Sequence, residues 1–187
     1  MDNLKYTKIE RADNKKVAVF DCDDTLFFTG DSLRLASKEV FNRDLTRLQI
    51  KKLPPNIRAN LFITASKKYH TAYKPNKLTI DKCKILKSKG YDIIVLTTRW
   101  NTLRKYTLKI LSNNNIPFKK LILDRNGSTD GEKFKIHYIK SLLSKYKQVI
   151  FFDDSIEIMR KVERLNSLKR VSLYLVSPTR IRLYRAG

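Results

Sequence analysis

Three short runs of the sequence are apolar at every position and end abruptly in polar residues. They are Val17–Phe20, Ile93–Leu96 and Val149–Phe152. A strand with one face in water alternates apolar and polar residues, whereas a run without alternation is typical of a strand covered by helices on both faces. Two further apolar runs are Leu121–Leu123 and Val171–Val176. Together the five runs predict a largely parallel sheet at the centre of the molecule.

The segments between these runs carry apolar residues three and four positions apart, which is the spacing of one helix face. Helices are therefore predicted at 79–89, 102–113, 134–146 and 155–165. Strands that alternate with helices form right-handed βαβ units. We expect an α/β fold in which helices cover both faces of a five-stranded parallel sheet.

Residues 31–78 interrupt this alternation. Helices are predicted at 31–41 and 56–70, and Pro54 and Pro55 break the chain between them. The stretch is longer than loops in compact domains usually are. We interpret 31–78 as a small helical insertion over the sheet edge, and 1–30 with 79–187 as the core that carries it.

The charge of the chain is strongly basic. It has 40 Lys and Arg against 18 Asp and Glu, a net charge of +22. Residues 43–90 hold a net +11 and the chain from Arg160 onward holds a net +7. This balance argues against a cation-binding protein and favours a phosphate-rich partner such as RNA or DNA, bound through the basic insertion and the C-terminal tail. The alternative is that the charge serves solubility.

The chain shows no apolar run long enough to cross a membrane and no apolar secretory segment at its start. Two cysteines exclude a disulfide scaffold. We therefore expect no membrane partner and an intracellular, cytoplasmic location, with an organellar or viral origin left open.

The first buried strand ends in Asp21-Cys22-Asp23-Asp24-Thr25, which places three carboxylates within four positions. Like charges so close together are unfavourable unless a cation binds them, and Mg²⁺ prefers carboxylate oxygens. Asp21 and Asp23 are two positions apart and can face one substrate, where one carboxylate attacks phosphorus and the other moves a proton. The alternative is an acidic turn after a strand.

Polar residues also follow three other predicted elements. Thr97 and Thr98 follow the second run, and Asp153 and Asp154 follow the fourth. Lysines at 133 and 135 open the helix after the third run. Taken singly, each has an ordinary explanation as a helix cap or a solvated side chain. Because ligands bind outside the carboxyl ends of parallel strands, all of them are predicted to meet at one sheet edge.

The ordered set of a strand with DxDxT, a strand with Thr, a helix with Lys and a strand with two acids resembles the haloacid dehalogenase superfamily of phosphohydrolases. The resemblance spans about residues 16–176. It implies a Rossmann-like sheet in the order 3-2-1-4-5 with a helical cap, here 31–78.

The resemblance also implies roles for individual residues. Asp21 is the expected nucleophile, Asp23 the general acid and base, Thr97 the second-motif hydroxyl and Lys135 the motif lysine, with Lys133 as the alternative. The four acids expected to hold Mg²⁺ are Asp21, Asp23, Asp153 and Asp154, with Asp153 favoured over Asp154.

Thr97-Thr98-Arg99 is similar to small nucleotidase-type members, and Phe134-Lys135 to nucleic-acid-processing members. Thr25, Thr98, Arg99 and Lys133 are accordingly expected to bind substrate. Trp100 either stacks on a base or packs in the interior.

The resemblance favours a Mg²⁺-dependent phosphatase that forms an aspartyl-phosphate and acts on a nucleotide or a phosphorylated nucleic-acid end. The alternative is a nucleic-acid-binding or ribonucleoprotein component, of the kind found in ribosomes, with little or no catalysis.

Overall fold

The computed structural model describes residues 15–124, 130–165 and 170–185, and within them the chain forms eight strands and seven α-helices. The strands are β1 Lys16–Phe20, β2 Phe27–Phe28, β3 Lys74–Pro75, β4 Asp92–Trp100, β5 Lys120–Asp124, β6 Gln148–Asp153, β7 Val171–Val176 and β8 Ile181–Leu183. The helices are α1 Gly30–Phe41, α2 Arg47–Lys51, α3 Pro55–Lys68, α4 Lys77–Ser88, α5 Arg104–Asn113, α6 Gly131–Leu143 and α7 Ile156–Arg164. Short 3₁₀ turns cover His70–Ala72 and Asn101–Leu103.

The central sheet has six strands in the order β5-β4-β1-β6-β7-β8. The first five are mutually parallel, so in chain order they run 3-2-1-4-5, and the predicted α/β fold class is confirmed. The sixth strand, β8, was not predicted and runs antiparallel to β7. It has three residues at the sheet edge and depends on pairing with β7, which leaves little local signal in the sequence.

Both faces of the sheet are covered, which explains why its central strands lack alternation. Ala18 and Phe20 of β1 belong to a core cluster that includes Cys83 of α4 and Ile110 of α5. Their neighbours Val17 and Val19 belong to a second cluster, with Ile139 of α6 and Val162 of α7. The Phe20 and Phe152 rings stack with centroids 4.4 Å apart.

The predicted insertion contains α1, α2 and α3, which share a separate apolar cluster including Leu33, Ala36, Leu61 and Ala65. Helix α2 was not predicted, because it has only five residues and its start is set by a capping box between Thr46 and Gln49. Strands β2 and β3 pair antiparallel where the chain leaves the core and returns to it. The domain limits at 31 and 78 stay a prediction.

The predicted helices are all present, with ends shifted by at most three residues. The largest shift at a functional position is in α6, which begins at Gly131 because the Asp130 side chain accepts a hydrogen bond from Lys133 N at 3.0 Å. Both candidate lysines therefore lie in the first turns of α6. No helix within the described ranges is long and apolar enough to span a bilayer.

Candidate active site

Three carboxylates meet where β1 and β6 end. Asp21 follows β1, Asp153 is the last residue of β6, and Asp154 comes next. One oxygen of each lies within 4.8 Å of the others. The two strands are paired at this edge, and Asp21 N donates a hydrogen bond to Phe152 O at 3.0 Å. Parallel pairing of two buried strands is thus what brings together acids 132 positions apart in the chain.

Lys135 lies between two of these carboxylates. Its Nζ is 2.8 Å from Asp21 Oδ1 and 2.7 Å from Asp153 Oδ2, and its side chain is 5% exposed. Lys133 points outward instead, with a side chain that is 84% exposed and 2.8 Å from Asp130. Of the two lysines considered from the sequence, the structure brings Lys135 to the acids and leaves Lys133 on the surface.

The cluster carries more negative charge than Lys135 balances. Burial raises the pKa of Asp21; Lys135 opposes this, but Asp153, Asp154 and Asp23 add to it, and the pKa stays well above its usual value. Asp154 is the exposed member, yet the cavity walls remove much of the water around its carboxyl. This desolvation, with repulsion from Asp153 and Asp24, raises its pKa to about 7. Converging oxygen ligands with surplus negative charge fit a hard cation such as Mg²⁺, for which Asp21, Asp153 and Asp154 could be the ligands.

Asp23 is engaged by Arg99 and lies outside that carboxylate cluster. Arg99 Nε and Nη2 donate to the two Asp23 oxygens at 2.8 and 2.7 Å. The guanidinium is itself buried and lies 4.9 Å from the centroid of the Tyr73 ring. Burial raises the pKa of Asp23, but the charge and hydrogen bonds of Arg99 outweigh it, so the pKa lies below its usual value. The structure thus pairs a predicted metal ligand with a predicted substrate-binding residue.

The three threonines singled out from the sequence occupy different environments. Thr97 is buried, and its Oγ1 accepts a hydrogen bond from Arg99 N at 3.2 Å. Thr98 is exposed and lines the cavity above the carboxylates. Thr25 is fully buried, and its hydroxyl has no hydrogen-bond partner among the described residues. The phosphate-binding roles of Thr97 and Thr98 stay predictions.

A cavity of about 630 Å³ lies between the insertion and the carboxyl ends of the strands. Its floor contains the acids and Lys135. Its walls are of two kinds, a set of apolar side chains and a set of cations. The apolar wall includes Phe62, Ile63, Trp100 and Leu103, and the cations are Arg47, Lys51 and Arg58. Trp100 therefore faces the cavity, at least in part, rather than lying wholly in the interior.

Arg47 of α2 was missed by the sequence analysis. It forms an ion pair with Asp24, and its Nη1 donates to Thr29 Oγ1 at 2.8 Å. Asp24 has a left-handed backbone, with φ of 57°, and its Oδ1 accepts hydrogen bonds from Thr29 N and Thr29 Oγ1. Arg47 thereby joins the insertion to the loop after β1. In the sequence it is one basic residue among many, so no local signal distinguished it.

Several solved structures have a fold similar to that of the chain. It matches a chain of "Structure of Pnkp1/Rnl/Hen1 complex" with a TM-score of 0.59 at 18% identity, covering 95% of this chain but only 51% of that one. A haloacid dehalogenase-like hydrolase from Streptococcus pneumoniae matches with a TM-score of 0.60 at 12% identity, covering 86% of this chain and 83% of that one. A putative beta-phosphoglucomutase from Thermotoga maritima gives 0.58 at 14% identity, covering 92% and 88%.

The chain shares the fold of the haloacid dehalogenase-like class, and it has carboxylates at the ends of two strands and a lysine on α6 beside them. Within it, the family model "PITM 1-3, LNS2 domain" matches residues 60–172, more than half of the 187, and the chain belongs to this family. The matched span contains Thr97, Lys135 and Asp153 but begins after Asp21. No curated protein sequence matches the chain.

Proposed function

We propose that the protein is a Mg²⁺-dependent phosphohydrolase that forms an aspartyl-phosphate on Asp21 and acts on a nucleotide or the phosphorylated end of a nucleic acid. The observation that carries this proposal is the buried ammonium of Lys135, 2.8 Å from Asp21 and 2.7 Å from Asp153, beneath an open cavity. A cation fixed there neutralises phosphoryl charge and aims one oxygen of Asp21.

In the first step a carboxylate oxygen of Asp21 attacks phosphorus. A bond forms between that oxygen and phosphorus while the bond to the leaving oxygen breaks, and Asp23 gives the leaving oxygen the proton that it took from water in the preceding turnover. Mg²⁺ held by Asp21, Asp153 and Asp154 would neutralise charge on the phosphoryl oxygens. Most of the catalysis is therefore positioning and electrostatic stabilisation.

In the second step water attacks the phosphorus of the aspartyl-phosphate and Asp23 takes its proton. The bond between Asp21 and phosphorus breaks, which releases inorganic phosphate and restores the carboxylate. The two hydrogen bonds from Arg99 hold Asp23 in the ionised form that can accept this proton, and they make the protonated carboxyl a stronger acid for the next transfer to a leaving oxygen. They also fix both of its oxygens, so Arg99 acts as a positioning residue for Asp23.

The walls of the cavity support a nucleotide or a nucleic-acid end as substrate. The flat side chains of Trp100 and Phe62 offer surfaces on which a base can stack. Arg47, Lys51 and Arg58 supply positive charge for phosphates other than the one transferred. The matched Pnkp1/Rnl/Hen1 chain is consistent with this substrate class, although the present chain spans about half of it.

Phosphate release from an aryl phosphate, a nucleoside monophosphate and 5′- or 3′-phosphorylated oligonucleotides tests the proposal, with Mg²⁺ or with a chelator. We expect Mg²⁺-dependent release that Asp21→Asn lowers by at least about 10³-fold, because an amide does not attack phosphorus. Asp31→Asn is the matched control, since Asp31 is paired with Lys74 on the surface. Activity of D21N within tenfold of wild type, or full turnover in chelator, would overturn the mechanism.

A further inference from the structure

A second concave surface lies outside the candidate active site, between α7 and the β8 edge of the sheet. This arginine groove encloses about 640 Å³ and is lined by Ile156, Arg160, Glu163, Arg164, Arg182, Leu183, Tyr184 and Arg185. Helix α7 packs on β7 and β6, and β8 is the outermost strand beside β7. The groove is therefore formed by a helix and a strand that are both fixed to the core.

The four arginines of the groove are exposed, and they outnumber the two acids near them, Glu163 in the lining and Glu157 on α7. None of them forms an ion pair with any residue in the described ranges, and Glu163 is the one acid in the lining. Elsewhere on the surface exposed lysines do have carboxylate partners, such as Lys119 with Asp92 at 2.8 Å and Lys74 with Asp31 at 2.7 Å. Concentrated, unneutralised guanidinium groups are a site for phosphate oxygens, which they bind in bidentate fashion.

The spacing of the arginines suits a chain of phosphates rather than a single anion. Arg160 and Arg164 are one helical turn apart, about 6 Å along α7. Arg182 and Arg185 approach from the β8 side of the same groove. Tyr184 lies among them, half-buried against the core, and adds an aromatic edge beside the charges. Cations in a row beside an aromatic ring are typical of surfaces that bind single-stranded nucleic acid.

The groove begins where the active-site cavity ends. Ser155 lines the cavity and the next residue, Ile156, lines the groove. Hydrogen bonds from its own backbone and from Ser155 lower the pKa of Glu157 on the first turn of α7, and the nearby charges of Lys51 and Arg160 lower it further. Helix α7 has nine residues, so the groove extends about 14 Å from the cavity. A strand of a few nucleotides spans that distance.

We propose that the arginine groove binds the sugar-phosphate backbone of a single-stranded nucleic acid and directs its phosphorylated end into the active-site cavity. The delivery of the phosphorylated end into the cavity rests on the proposed function, whereas the binding of the backbone in the groove does not. The occupant is a nucleic acid rather than an anionic membrane because the surface is concave. Its one strongly exposed apolar side chain, Leu183, offers little to insert into lipid.

The test compares wild type with a groove variant, R160Q/R164Q/R182Q/R185Q. The control variant, K84Q/K87Q/K105Q/K109Q, removes the same charge from exposed positions of α4 and α5. Binding of an unphosphorylated single-stranded oligonucleotide is measured in chelator over a range of salt concentrations, with thermal melts to show that each variant is folded. The groove variant should bind at least tenfold more weakly, with a salt slope reduced by about 0.7 for each lost phosphate contact. The control variant should lose much less affinity for the oligonucleotide.

Two further measurements separate the possible failures. Binding to vesicles that contain an anionic phospholipid, without binding to the oligonucleotide, would overturn the assignment to nucleic acid. Equal losses of affinity in the groove and control variants would show that only total charge matters and would overturn the assignment of the binding site to the groove. The value of kcat/KM on 5′-phosphorylated oligonucleotides should rise with length in wild type and much less in the groove variant. No hydrolysis by wild type of any substrate, with groove-dependent binding intact, would refute the proposed function and leave the binding site standing.

Discussion

Lys135 has a proposed role in binding the phosphoryl group and a second role in stability. In the protein without metal, its buried ammonium compensates the negative charge of the acids beside it, so the second role can be measured separately. Its side chain is 5% exposed and those of its partners, Asp21 and Asp153, are 6% and 0% exposed. Removing one member of such a group leaves uncompensated buried charge, which costs about 3–5 kcal/mol. A bound divalent cation supplies the missing compensation.

We therefore predict that Lys135→Met lowers the free energy of unfolding by about 3–5 kcal/mol in chelator, and that Mg²⁺ restores part of the loss. Chemical denaturation with and without Mg²⁺ measures both effects. Lys133→Met is the matched control, two positions away and 84% exposed, and should leave stability nearly unchanged. Equal effects of K135M and K133M would contradict the burial argument.

Arg99 and Asp23 form an ion pair, and either charge left without its partner would lower the stability of the folded protein. Arg99→Met leaves a buried carboxylate with no guanidinium, and Asp23→Leu leaves the reverse, so each single variant should lose several kcal/mol of stability. The double variant replaces both charges by apolar groups and should be more stable than the sum of the singles implies. A double-mutant cycle from urea titrations measures the coupling. Additive losses would mean that the two residues are independent.

The carboxylates of the candidate active site could be predicted from the sequence. Each follows an apolar run, and the carboxyl ends of parallel strands meet at one edge of the sheet. The pairing of Arg99 with Asp23 was not readable, since it joins residues 76 positions apart through packing on Tyr73. Lys135 was favoured over Lys133 from the sequence, with Lys133 kept as the alternative. Both are in the first turns of α6, and only the docking of that helix on the sheet decides which one is buried.

Helix α6 approaches β4 closely at Gly131. A Cβ added to this glycine would lie 2.6 Å from Thr98 Cγ2, and Thr98 lines the active-site cavity. The absence of a side chain at the start of α6 therefore sets how near the helix comes to the strand. Lys135 is one turn further along the same helix. We therefore expect the contact at Gly131 to influence how close the Lys135 ammonium comes to Asp21 and Asp153.

Gly131→Ala should accordingly destabilise the protein by about 1–3 kcal/mol through overpacking and should lower kcat/KM by moving Thr98. The control is Gly30→Ala at the start of α1, where nothing lies within 4 Å of the added Cβ. That variant should be neutral or slightly more stable, since alanine restricts the unfolded chain. Thermal melts and steady-state kinetics of both variants provide the comparison, and a neutral G131A would contradict the close approach.

Elements with a strong apolar pattern were predictable. Strands β1 and β4 contain continuous apolar runs because both of their faces are buried, and α7 carries the helical period of one buried face. Helix α2 and strand β8 were not predictable, since five and three residues are too few for a period to show. Their positions depend on a capping box and on pairing with β7. The cavity cation Arg47 lies on α2, so missing the helix meant missing the residue.

The net charge of +22 is a property of the protein as a unit and has a consequence for its stability. Positive charges repel one another in the compact state, and salt shortens the range of that repulsion from about 30 Å at 0.01 M to about 10 Å at 0.1 M. The scattered surface ion pairs contribute little in comparison.

We predict that the melting temperature rises by about 2–4 °C when sodium chloride is raised from 10 to 200 mM, which corresponds to about 1 kcal/mol for a chain of this size. The K84Q/K87Q/K105Q/K109Q variant, with four fewer positive charges, should show a smaller rise. Scanning calorimetry of both proteins at the two salt concentrations measures the difference. A melting temperature that falls with salt would mean that attractive ion pairs dominate.

The short ladder between β2 and β3 has a consequence for how such a protein can be altered. Phe27 faces Pro75 and Phe28 faces Lys74, so the chain leaves the core and re-enters it at adjacent points. The helices between those points share their own apolar cluster, apart from the two clusters that flank the sheet. We therefore expect that exchanging 30–72 for another segment of similar ends leaves the order of the central strands unchanged. The helices that wall the cavity could then be altered apart from the strand ends that carry the acids, which makes the insertion a natural target for grafting.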